Sequence, residues 1–198
     1  MKKEKTRCGW AKDGLMCLYH DKEWGVPIFS DPKQFEFLVL ESAQAGLSWS
    51  CVLNKRENYR KAFAGFDPQK ISKFNARKIE SLLKNAGIIR NRLKIESAVQ
   101  NAKCFLALQK EFGSFSHYIW SFVEGKVRRK PLQKLTELPA VTPESLALSQ
   151  DMKKRGFKFL GPTVLYSHMQ ATGLVNDHLV SCFRYREIER KKTKRKRA

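Results

Sequence analysis

No segment of this 198-residue sequence approaches the roughly 20 consecutive apolar residues of a helical membrane span. The opening Met1-Lys-Lys-Glu-Lys5 also lacks the apolar core of a secretory signal. The expectation is a cytoplasmic protein with no membrane partner. Cysteine is scarce: five residues, odd in number and scattered, which argues against a disulfide framework and fits a reducing compartment. Acidic residues are few as well, 19 against 39 Lys and Arg, for a formal charge of +20. Seven of the basic residues lie in Arg190-Lys-Lys-Thr-Lys-Arg-Lys-Arg197, and setting them aside leaves 32 against 19. The body itself is therefore basic, which favours a polyanionic partner, nucleic acid ahead of an anionic membrane. No run alternates apolar and polar residues with period two, and no internal repeat is present.

What is present is enough apolar sequence, 42% with 11% aromatic, to build a core. Helical signals dominate, and the expected fold class is all-α. Asp31 as N-cap, with Pro32 at the first position and Gln34 at N3, predicts a helix over 32–44. Further helices are predicted over 48–64, 68–73, 76–85, 90–112, 114–123, 142–156 and 162–172. Residues 7–30 read as irregular, and 125–141 as a basic connection without pattern. One domain over 1–185 is expected, followed by a basic tail over 186–198. That tail reads either as a solvated, disordered run or as a source of salt-sensitive DNA attraction.

The densest stretch is Glu41-Ser-Ala-Gln-Ala-Gly-Leu-Ser-Trp49. Phe35 to Ala43 is almost wholly apolar, so Glu41 reaches the end of a buried helix. An ionised carboxylate there costs several kcal/mol, to order of magnitude, unless partnered. Gly46 breaks the helix and Ser48 caps the next, which carries Trp49. The residues leave two readings open: a binding pocket, or a structural acid paired with an arginine. Trp10, Tyr19 and Trp24 are either core filler or aromatics for stacking on a base.

Near the other end, Lys153-Lys-Arg-Gly-Phe-Lys-Phe-Leu-Gly-Pro162 joins two helices through a glycine-bounded turn. The helix starting at Pro162 offers unpaired N–H groups to a phosphate, with Lys154, Arg155, Lys158 and Gly161 around them. The alternative is an ordinary helical corner whose glycines permit close packing. Cys8, His20, His178 and Cys182 have the donor types of a closed zinc site, the last two at helical i, i+4 spacing. On the residues alone, the spacing matches no compact zinc finger, and buried thiols with isolated histidines are the favoured reading.

Taken together, Cys8-Gly-Trp10, Tyr19-His-Asp-Lys-Glu-Trp-Gly-Val-Pro27, Glu41 to Trp49, Asn85-Ala-Gly-Ile-Ile-Arg90, Lys154-Arg-Gly-Phe-Lys-Phe159 and Gly173-Leu-Val-Asn-Asp-His178 resemble a known family. It is that of 3-methyladenine DNA glycosylase I, bacterial alkylation-repair enzymes. The resemblance runs from about Arg7 to Cys182. It implies a helix-hairpin-helix DNA glycosylase fold, with the hairpin at about 153–173, and a structural zinc ion on Cys8, His20, His178 and Cys182 joining the two termini. It also implies a monofunctional enzyme that flips 3-methyladenine out of alkylated double-stranded DNA and hydrolyses its N-glycosidic bond.

In that reading Glu41 carries the chemistry, with Tyr19 and Trp49 around the base and Trp10 and Trp24 nearby. Gly46 and Leu47 enter the gap left in the duplex, and Lys154, Arg155, Lys158 and Gly161 hold its backbone. The expected partner is DNA alone, without an obligatory protein partner, for a monomer associated with the nucleoid. A non-enzymatic zinc protein that binds damaged DNA is the competing function. The sequence departs from the family at Met16, where an aromatic is expected, and in a one-residue shortening between Cys8 and His20.

Overall fold

Helix α2 (Asp31–Gln44) is buried along its whole length from Gln34 to Ala43, as a helix with no polar stripe must be. The structure, a computed structural model, describes residues 5–129 and 131–188; the basic run Arg190 to Arg197 lies outside them. Around α2 pack α3 (Trp49–Ala62), α6 (Arg92–Phe112), α7 (Phe115–Ser121) and α9 (Pro162–Ala171). Short helices α4 (Pro68–Ile71) and α5 (Ala76–Leu83) lie against α6, and α8 (Pro143–Lys154) pairs with α9. The expected all-α class holds, and no described helix is long and apolar enough to cross a membrane.

Two local expectations are corrected. Residues 7–30 are not uniformly irregular, because α1 (Gly14–Lys22) forms there, with Asp13 accepting a hydrogen bond from the Met16 N–H at 2.9 Å. Gly14 at its start and its weak amphipathicity hid it; packing against α3 supplies what propensity does not. Asp31 is not the cap of its own helix, since Ser30 holds that position. Its carboxylate instead accepts from the N–H groups of Phe115 and Ser116, at 2.9 and 2.8 Å, and from Gln109 at 2.7 Å. Asp31 thus caps α7 from across the core, satisfying donors that Ser114, bonded to the His117 N–H, leaves over.

The connection over 125–141 proves to be an arm laid along the C-terminal segment. Strand β1 (Arg128–Arg129) pairs in parallel with β2 (Val175–Asn176), and Leu132 bridges Leu179. Residues 183–188 are helical and include the buried Ile188, so described helix reaches at least three residues into the segment read as tail. Gly173 makes the close approach that lets this segment lie against residues 26 and 27. Its φ is +72°, and a β-carbon there would sit 2.4 Å from the backbone of Val26 and Pro27, so only glycine fits.

His168 of α9 is fully buried, its Nε2 donating to the Gln34 side-chain oxygen at 2.7 Å, while the Gln34 amide donates to the Ile28 carbonyl. Burial pushes its pKa down to about 3. A histidine that ionises far more easily when unfolded stabilises the fold fully only above its ordinary pKa of about 6.5. As pH falls from about 6.5 toward 3, the unfolded chain takes up a proton that the folded one refuses. Urea unfolding between pH 7 and 5 is expected to show His168→Gln losing less stability than the parent, by about 1 kcal/mol per pH unit on average and approaching about 1.4 below pH 6.

Candidate base pocket and metal centre

Helix α2 ends at Gln44, and the chain turns through Gly46, φ +78°, before Ser48 caps α3 by accepting from the Cys51 N–H. The open carbonyls at the end of α2 are met from α6, where Lys94 Nζ donates to Ala43 O at 2.9 Å and Ala45 O at 2.6 Å. The corner is therefore held, and Leu47 at its tip remains 41% exposed. Lys94 is a contributor that sequence reading missed; its position in the first turn of a long helix carried no signal.

Glu41 is only 3% exposed, and its Oε2 has no hydrogen-bond partner in the protein. The arginine-paired alternative fails for Glu41. It applies instead to Glu36, which bonds Arg56 at 2.8 Å and Arg60 at 2.7 Å. Burial alone raises the Glu41 pKa to about 8. The indole N–H of Trp49 is likewise buried without an acceptor. Tyr19 and Trp49 meet with ring centroids 5.3 Å apart. The Tyr19 hydroxyl is pushed well above its ordinary range by burial and then by the nearby Glu41 and Glu23 charges. Met16 packs against the cluster that contains Tyr19, Trp24 and Phe37.

A cleft of about 160 Å³ opens beside Glu41, walled by Gln44, Ala45, Gly46 and Leu47 on one side and by Thr163, Val164 and Ser167 on the other. Thus the corner and the first turns of α9, far apart in sequence, face one another. Thr163, Val164 and Ser167 escaped sequence reading because only the packed hairpin brings them there.

Cys8, His20, His178 and Cys182 are all buried, and their ligand atoms lie within 4.8 Å of one another. The Cys182 Sγ is 3.4 Å from His20 Nε2 and 3.6 Å from His178 Nδ1, and Cys8 Sγ is 3.6 Å from the same Nδ1. Metal–sulfur and metal–nitrogen bonds of about 2.3 and 2.05 Å in a tetrahedron require S···N edges of about 3.6 Å. The outward nitrogens are committed as well: His20 Nδ1 lies 2.8 Å from Asp21, which Arg7 clamps, and His178 Nε2 donates to Trp24 O at 3.1 Å. That fixes which nitrogen of each ring faces inward. Hydrogen bonds from Cys8 first, and then from His178 and His20, hold the Cys182 thiol far below its ordinary pKa. Donor set, spacing and outer partners all fit a metal ion. His178 and Cys182 do not share a helix, as their spacing suggested; they sit on a turn ahead of the helical residues 183–188.

Trp10 and Trp24 belong to this centre more than to the cleft. Trp24 meets the His178 ring at 4.5 Å, and Trp10 meets His20 at 5.1 Å and Trp24 at 5.0 Å, touching Tyr19 only at 6.3 Å.

In the hairpin, Lys154 and Lys158 are exposed, whereas Arg155 is spent on Asp151 and Glu111, each at 2.6 Å, and lies over Phe112 and Tyr118. Gly161 precedes α9 with an unremarkable φ of −67°, and a β-carbon there would meet nothing within 4 Å. Neither backbone conformation nor internal packing requires glycine at this place. The close-packing alternative is therefore unsupported at Gly161.

These features define a helical protein with one buried, unpaired acid beside a cleft and a metal-ready cluster joining its two ends. The profile of the methyladenine glycosylase family matches residues 10–185. DNA-3-methyladenine glycosylase 1 of Escherichia coli K12 is 48% identical over 180 residues, covering 90% of this chain and 96% of that protein. A crystal structure of 3-methyladenine DNA glycosylase I superposes with a TM-score of 0.88 at 49% identity, over 90% of this chain and 98% of the other. The Staphylococcus aureus 3-methyladenine DNA glycosylase I, solved for the basis of its 3-methyladenine recognition, gives 0.87 at 37% identity, over 89% and 95%. The chain belongs to the methyladenine glycosylase family.

Elemental analysis of protein purified without chelator is expected to find close to one metal ion per chain. Cys182→Ser should lose it and lower stability by several kcal/mol, on the order expected for a structural site. A metal-free parent that melts at the same temperature would reject the site.

Proposed function

We propose that this protein is a monofunctional DNA glycosylase that flips 3-methyladenine out of alkylated duplex DNA and hydrolyses its N-glycosidic bond. The observation that carries the proposal is the uncompensated Glu41 carboxyl, buried beside a cleft in a member of this family. Methylation at N3 gives the adenine a positive charge and makes it a good leaving group, so little acid catalysis is needed. Glu41 accepts a hydrogen bond from the exocyclic amine and balances the ring's charge. A cationic base entering the site draws the carboxyl toward its ionised form, reversing what burial does in the empty site. The faces of Tyr19 and Trp49 attract the same cation, by roughly 0.5–2 kcal/mol each. As the sugar passes through an oxocarbenium-like state, its charge is stabilised by the carboxylate, and water completes the hydrolysis. Activation of that water is a secondary role for Glu41. Trp10 and Trp24 support the base site from behind by bracing the metal centre.

Gly46 and Leu47 fill the gap left by the extruded nucleotide. The α8–α9 pair serves as a helix-hairpin-helix element, in which the N–H groups at Pro162 to Val164, the open space over Gly161, and Lys154 and Lys158 hold a phosphate without reading sequence. Arg155, already neutralised, braces the turn. The four-ligand cluster takes a structural zinc ion, whose closed Cys₂His₂ shell leaves no position for chemistry. Strand cleavage would need an amine at the flipped sugar. Lys94 approaches the corner, but two carbonyls hold its ammonium and it does not line the cleft. The protein acts as a monomer on DNA, in the cytoplasm with the nucleoid.

Chromatography of bases freed from methylated duplex DNA is expected to show 3-methyladenine without strand cleavage. Glu41→Gln should slow release by roughly 10- to 100-fold, the loss of one hydrogen bond to a charged group, with duplex affinity kept. DNA binding without any release by the parent protein would favour the non-enzymatic damage-binding reading. Removing residues 189–198 should flatten the dependence of log K on log salt without changing which base is released.

A further inference from the structure

Phe159 stands where a side chain is least expected. Its φ is +56°, in the left-handed region that favours glycine, yet it carries an aromatic ring that is 39% exposed. The backbone on both sides is fixed. The buried Asn101 accepts from the Lys158 N–H at 2.8 Å and donates to the Lys158 carbonyl at 2.9 Å, and Ser149 donates to the Leu160 carbonyl at 3.0 Å. Three hydrogen bonds, one buried and two partly buried, thus hold the backbone on both sides of Phe159, whose ring faces outward. Phe157 and Leu160, its apolar neighbours, are buried at 4% and 6%. The core therefore does not use this ring, and no described aromatic or cationic group stacks on it.

The surroundings indicate what covers it. Lys153, Lys154 and Lys158 are exposed and form no salt bridge among the described residues. Four residues further on, Thr163 forms a wall of the cleft that Leu47 bounds from the other side. An apolar ring among unpaired lysines, beside a helix N-terminus and next to a cleft for an extruded base, matches a nucleic-acid strand: anionic along its backbone, apolar on its sugar and base faces.

We infer that Phe159 is a second apolar anchor on DNA, packing against a deoxyribose or base face of the strand held by the hairpin, while Leu47 occupies the vacated stack. This inference rests on the glycosylase reading. The ring contributes affinity without contacting phosphate, so its removal should leave the electrostatic component of binding intact.

The variant for the test is Phe159→Gly, because glycine accepts the positive φ and the turn is then expected to fold at least as well. Binding would be measured to duplex DNA containing a tetrahydrofuran abasic-site analogue, over a range of salt concentrations. The expected result is an affinity loss of roughly tenfold, an unchanged salt slope, and recovery in Phe159→Tyr. Unchanged affinity in Phe159→Gly would overturn the inference. So would an affinity loss accompanied by a flatter salt slope, since that would mean the variant had disturbed phosphate contacts. Base release by the parent protein, assayed alongside, separates failure of this inference from failure of the glycosylase reading.

Discussion

The burial of Glu41 without a counter-charge is the constraint around which the molecule is arranged. Ordinary folding pressure would replace such a residue, because a carboxyl in an apolar helix must either stay protonated or lose its hydration without return. In the proposed function, its place beside a cleft trades local stability for recognition of a cationic base. The surrounding structure compensates elsewhere. The charges that are satisfied, Glu23, Lys33, Glu36, Arg56 and Arg60, form a network along the opposite side of α2. The same helix thus carries a fully paired acid and a fully unpaired one, Glu36 and Glu41. Both are buried, yet only Glu41 is free to respond to a ligand.

Precision at that acid depends on two constraints that lie outside the cleft. Lys94 and Ser48 fix the corner that follows it, one from a helix fifty positions later and one locally. The Cys/His cluster fixes α1, which brings Tyr19 to Trp49, since Tyr19 is adjacent in sequence to the ligand His20. Aromatic side chains supply the contact between the two sites. Trp10 touches both Tyr19 and His20, so the metal centre and the base pocket share a wall. A structural ion held there would do more than stabilise: it would set the position of the Tyr19 ring, which the proposed function places against the base.

Much of this was legible in the sequence. The all-α class follows from helical spacing and from strong caps such as Thr142 and Ser48, and the buried course of α2 follows from its apolar run. Glu41 and the four Cys/His residues were singled out by the family resemblance, since residue type and spacing by themselves left a structural acid and buried thiols as open readings. What could not be read depended on tertiary pairing. Asp31 looked like a local cap because the donors it serves, on Phe115 and Ser116, are more than eighty positions away. The ion pairs of Arg155 were only half legible, because Asp151 is four positions before it whereas Glu111 lies on another helix. Helix α1 gave no periodic signal because α3 and the metal ligands, rather than its own amphipathicity, hold it in place.

The span of the Cys/His cluster also governs when the protein becomes competent. His20 and Cys182 lie 162 positions apart, so on a ribosome adding about 5–20 residues per second the first half of the centre waits roughly 8–30 s for the second. During that interval α1 has its packing against α3 but lacks its tie to the C-terminal segment. His178 and Cys182 emerge only after the helical core is complete, so a chain cut before them would pack much of that core without closing the cluster.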